Sequence, residues 1–176
     1  AVNTIFVFAV IFTSESLSFS DSESIFLILM LNVVAAPGSL LFGYLAERLG
    51  TLRSIALSLF IWLFVVAASI AAASPGLFEV EDAKTFFWGV AVIAALCIGA
   101  TQATSRSYVG ELAESGKSGE YFGVMAIAGR ASAVLGPIVF GQVSAVTGDQ
   151  RWSLASVGAF FLIGLVLLMR CEARRS

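Results

Sequence analysis

Histidine is missing altogether from this 176-residue chain. That removes imidazole general acid–base catalysis, histidine metal ligands and histidine proton relays. Cysteine is nearly absent. Cys97 lies in an apolar run and Cys171 near the far end, with neither metal-ligand spacing nor a plausible pairing. No cofactor or metal motif takes their place. Charge is scarce too: 12% of residues are Asp, Glu, Lys or Arg, and the net charge of −2 points to no nucleic-acid partner. What is abundant is apolar surface, 59% of the chain against ~45–50% in a soluble domain.

The few charges fall in short islands between long apolar runs, the pattern of an all-α, polytopic membrane protein whose first partner is the lipid bilayer. Six transmembrane helices are expected. Residues 1–12 are apolar but shorter than the ~20 needed to span, and read as a helix cut at its N-terminal side. Full spans follow at about 24–46, 54–73, 85–105, 120–146 and 152–169. Polar connections fill 13–23, 47–53, 74–84 (with Pro75-Gly76 as turn punctuation) and 106–119. Lys and Arg set the orientation: Arg48, Arg53, Arg106, Lys117, Arg170, Arg174 and Arg175 fall on one side, only Lys84 and Arg151 on the other. The first side is expected to be cytoplasmic.

One charge stands out by depth. Arg130 follows the polar start of the fifth span by ten residues, ~15 Å into a layer ~30 Å thick. A charge there costs at least ~2.5–3.5 kcal/mol and faces protein or a water-filled cavity. No acidic residue lies deep in any span, so its partner is a ligand, a loop or a missing segment. A carboxylate solute suits it, because guanidinium binds one through parallel hydrogen bonds. Gln102 and Arg106, four apart, share a face of the fourth span. Gln102 is a pathway residue or an interhelical hydrogen-bond donor, and Arg106 a cytoplasmic gate or a snorkelling anchor. Asn32 and Asn3 are cavity groups or helix–helix hydrogen bonds. The small-residue stripe Gly129, Ala133, Pro137, Gly141 reads as a packing seam, and Phe60, Trp62, Phe86, Phe87 and Trp88 as lipid-facing or interfacial aromatics.

Two further patterns bear on mechanism. Helix breaks are expected at Pro37-Gly38 and Gly136-Pro137, each in the middle helix of a three-helix set, as in transporters built from two inverted three-helix repeats. Between the second and third spans, Gly43-x-x-x-Glu47-Arg48-x-Gly50-x-x-Arg53 places a charge cluster at a helix-end turn. It is an ordinary positive-inside turn or a conformational latch.

This spacing resembles the signature loop of the major facilitator superfamily, with Glu47 where Asp is commoner and Thr51-Leu52 interrupting the basic run. Residues 99–107 (GATQATSRS), Glu120-x-Phe122-Gly123, Leu135-Gly136-Pro137, the start Val2-Asn3-Thr4-Ile5 and the tail Glu172-Ala173-Arg174 resemble the vacuole-effluxer, autophagy-related branch. The resemblance implies the C-terminal half of a twelve-helix secondary transporter over residues 1–176, completed by a missing N-terminal six-helix half. It implies alternating access for a small polar solute such as an amino acid, in the cell membrane of a bacterium or the vacuolar membrane of a fungus. The rivals are a non-transporting scaffold or sensor and an intramembrane enzyme. The enzyme is disfavoured by the lack of histidine and of membrane-embedded acids.

Overall fold

In a computed structural model, residues 13–14, 17, 19–74 and 79–173 are described. They contain α1 (Asp21–Leu49), α2 (Thr51–Ala72), α3 (Val80–Leu112), α4 (Ser118–Thr147) and α5 (Gln150–Ala173). All five are long and apolar enough to cross a membrane. The expected first span, residues 1–12, and the Pro75-Gly76 turn lie outside the described residues.

The helices outrun the apolar segments that foretell them, because capping groups and turn residues, not the last apolar residue, end a helix. α1 starts at Asp21 rather than 24: Ser20 caps it, its hydroxyl receiving the Glu23 amide while the Glu23 carboxylate accepts the Ser20 amide at 2.7 Å. α3 continues to Leu112, so half of the expected 106–119 loop is helical.

Neither proline breaks its helix. α1 runs through Pro37-Gly38 and α4 through Gly136-Pro137, which corrects the expectation of interrupted spans. Proline forfeits one intrahelical hydrogen bond, but the rest of the ladder remains where no water competes for it.

α1 packs chiefly on α3, α3 also on α2, α2 on α5, and α5 on α4. The α1–α3 crossing is the tightest. Gly38 lies against the Leu96 backbone and Gly99 against Ala35, so close that a Cβ at position 99 would stand 1.9 Å from the Ala35 carbonyl oxygen. Trp62 of α2, fully buried, donates from Nε1 to the Thr101 hydroxyl at 2.9 Å and stacks on Phe161 of α5 with centroids 5.1 Å apart. One side chain thereby ties three helices. Trp62 and Phe87 are core residues, not lipid-facing ones, while Phe60 and Phe86 are exposed as expected.

At the end where α1 and α3 begin, Lys84 lies 3.7 Å from Glu23 and over the Phe19 ring, which stacks on Trp88. α4 is peripheral: only 6% of its apolar window is buried, against 50% for α3. The expected seam on α4 is open at its two glycines and partly buried at Ala133 and Pro137. A Cβ at Gly129 or Gly141 would meet nothing within 4 Å. The seam's spacing is right for close approach, but no such approach occurs at either glycine among the described residues.

α4 turns into α5 through Gly148, in the left-handed region at φ 65°. Asp149 then receives the Arg151 backbone amide and side-chain Nε, both at 2.9 Å. The Arg151 side-chain bonds, and after them its amide, hold the Asp149 carboxyl below its ordinary value of 3.8. A depressed folded-state pKa gives stability that is present above the unfolded value and lost as pH falls through the folded one. The difference in melting temperature between wild type and Asp149→Asn should thus hold from neutral pH down to the ordinary carboxyl value and shrink only below it. No difference at neutral pH would show the pair to be inconsequential, and one that vanishes well above that value would show the carboxyl to be raised rather than lowered.

Candidate functional site

An open groove of about 460 Å³ runs between α1 and α3. Its floor is small (Ala35, Ala36, Gly99 and Ala103) because the glycine crossing that binds the two helices admits no larger side chains there. Asn32 and Ser39 of α1 and Gln102 and Arg106 of α3 supply its polar groups. Asn32 and Ser39 lie seven apart, two helical turns, and Gln102 and Arg106 four apart, so each pair shares the face of its helix that borders the groove.

The groove's polar valences are largely open. Asn32 donates Nδ2 to the Ile28 carbonyl at 2.8 Å, and the Ser39 hydroxyl donates to the Ala36 carbonyl at 2.7 Å. Both bonds are within α1, so the Asn32 amide oxygen and the Ser39 oxygen keep accepting capacity. Gln102 and Arg106 are exposed and have no hydrogen-bond or ion-pair partner among the described residues. A guanidinium and a carboxamide on one wall, facing amide and hydroxyl oxygens on the other, can receive a solute with an anionic and a hydrogen-donating end.

Two of the expected pathway residues, Asn32 and Gln102, are brought together in this groove with Arg106, the expected cytoplasmic gate or anchor. Arg130 is not. It sits near the middle of α4, exposed, with no acidic partner among the described residues. Asn3 lies outside the described residues. Ser39 was not expected. Its signal was available in the i, i+3, i+4, i+7 run Asn32, Ala35, Ala36, Ser39, a small-and-polar face inside an apolar span.

The expected charge cluster at the α1–α2 turn takes another form. Gly50 does reverse the chain, with φ +91°. Glu47, Arg48 and Arg53 are all exposed, and none pairs with another charge among the described residues. Arg48 instead lies over the ring of Tyr44, 5.2 Å from its centroid. Exposed long side chains gain little from pairing in water, which leaves these three unjoined. Gly43 permits no close approach either, since a Cβ there would meet nothing within 4 Å. The bond that does join helices here runs from the Thr51 hydroxyl to the Glu111 carboxylate at the end of α3.

Comparison with known proteins agrees with the helical, membrane-spanning architecture. The chain is 28% identical over 167 residues to an uncharacterized MFS-type transporter, YxiO, of Bacillus subtilis (strain 168). That alignment covers 95% of this chain and 37% of the relative's length. No solved structure matches. The family model described as "Vacuole effluxer Atg22 like" matches residues 1–176. With helices built to cross a bilayer and that match over its whole length, the chain belongs to the vacuole effluxer Atg22-like family of transporters and is a multi-pass integral membrane protein.

Proposed function

We propose that this chain is the C-terminal half of a secondary transporter, six spans in two inverted three-helix repeats, that moves a small polar solute by alternating access. The observation that carries the reading is the α1–α3 groove. It collects Asn32, Ser39, Gln102 and Arg106 around a floor too small to fill it. An amino acid suits the groove, with its carboxylate on Arg106 and Gln102 and its ammonium toward the oxygens of Asn32 and Ser39. The bare face of α4 supports a complementary N-terminal half, because an exposed arginine at mid-span needs protein or a wet cavity beside it. The membrane is that of the cell in a bacterium or of the vacuole in a fungus, with the α1–α2 turn on the cytoplasmic side.

The test is flux of labelled amino acids through vesicles carrying the whole protein. Arg106→Ala should reduce flux about 10-fold or more, the loss of a charge-assisted bond of ~1.5–3 kcal/mol, and Arg106→Lys should restore part of it. Gln102→Ala should cost several-fold less. Unchanged flux in Arg106→Ala would remove the groove from the pathway. A folded wild-type protein that moves no solute in the mixture would favour a scaffold on a transporter fold.

A further inference from the structure

Helix α2 begins without a cap of its own. Gly50 precedes it with no side chain to receive the first-turn amides, and no acidic residue stands in that turn. Such a start leaves backbone N–H groups unpaired and the positive end of the helix dipole uncompensated. Glu111 has the converse problem. It lies in the last turn of α3, at the negative end of that helix, with no basic residue in the turn to offset it. Each position is unfavourable when its own helix is considered alone. The two meet: the hydroxyl of Thr51, the first residue of α2, donates to the Glu111 carboxylate across 60 residues of chain.

We infer that Glu111, at the end of α3, offsets the positive end of the α2 dipole through the Thr51 hydroxyl, and that the Thr51–Glu111 bond clasps these helix ends together beside the Gly50 turn. The negative end of one helix and the positive end of the next then share one carboxylate. The clasp is a charge–dipole contact with a neutral hydroxyl, independent of the charges of Glu47, Arg48 and Arg53. Those charges remain exposed on the same turn. Thr51 is buried while Glu111 is exposed, so the bond is sheltered on the hydroxyl side alone.

Amide hydrogen exchange on the whole protein in lipid nanodiscs tests this without reference to transport. Loss of this contact, of the strength of one ordinary hydrogen bond, should speed exchange of the first-turn amides of α2, residues 51–54, by roughly five-fold. Thr51→Val and Glu111→Ala should each do so, and the double variant should add little, because both remove one contact. Thr51→Ser should exchange like wild type. Glu111→Gln, which keeps an acceptor but not the charge, should fall between. Exchange at the α1–α3 crossing, residues 35–38, should not change, which separates a local clasp from global loosening. Wild-type exchange at 51–54 in folded Thr51→Val or Glu111→Gln, or fully additive effects, would overturn the assignment.

Discussion

Replacing Gly99 with alanine is expected to destabilise the protein, although alanine is the better helix former. Intrinsic propensity favours the substitution by about 1 kcal/mol. Against it stands the α1–α3 crossing, where the new methyl would lie 1.9 Å from the Ala35 carbonyl oxygen and 2.9 Å from the Ser39 backbone nitrogen. Both obstacles are backbone, so relief requires the helices to part. Overpacking of this kind costs ~1–3 kcal/mol or more, which exceeds the propensity gain. Gly38→Ala meets Leu96 backbone at 2.2 Å and should behave alike. The pair should be less than additive, since parting the helices once accommodates both methyls. Gly89→Ala, on the same helix with nothing within 4 Å, should be neutral or stabilising and serves as the control. Thermal melting of the detergent-solubilised protein reads all four variants. Gly99→Ala melting at or above wild type would show that the crossing is looser than described.

For Arg130→Ala, the expected outcome is loss of transport with unimpaired or improved insertion. Removing a guanidinium from mid-span lowers the insertion cost by ~2.5–3.5 kcal/mol, so a purely burdensome charge would be better removed. A charge that meets the solute or lines the path contributes instead to flux, which should fall at least ~10-fold if one charge-assisted hydrogen bond is lost. The opposite signs make the test decisive, since a structural role would lower yield and flux together. Arg130→Lys should be intermediate, because ammonium keeps the charge and loses the two-pronged geometry. A well-expressed Arg130→Ala protein with normal flux would remove this residue from the mechanism.

How much of this was legible beforehand differs by scale. The apolar runs locate the five described helices, all but α3 to within about four residues at each end, because bilayer thickness imposes a length that composition alone reveals. Their ends were less legible: the Ser20–Glu23 capping box and the continuation of α3 to Leu112 are set by local hydrogen bonds, not by hydropathy. Pro37 and Pro137 read as breaks because proline forbids one hydrogen bond, yet both helices continue through them. In the site, Gln102 and Arg106 are paired by their spacing on one helix. That Asn32 faces them depends on which face of α1 meets α3, and no spacing within either helix states it. Glu47, Arg48 and Arg53 stand at the Gly50 turn without an ion pair among the described residues, and a bond between helix ends there runs from Thr51 to Glu111. Thr51 and Glu111, which carry the bond, look unremarkable in their own segments.

The sequence by itself therefore determined that the chain is helical and membrane-spanning, roughly where its five described spans lie, and that Arg130 falls near the middle of one of them. These follow from one-dimensional quantities, namely hydropathy, length and position along a helix. Only the tertiary structure decided that Gly38 and Gly99 lock α1 to α3, that this crossing opens the groove holding Arg106, and that α4 leaves Arg130 outside it. Helices of similar apolarity have no hydrophobic preference for one another in lipid, so their arrangement rests on packing shape and a few polar contacts. Those become visible only when the surfaces are brought together.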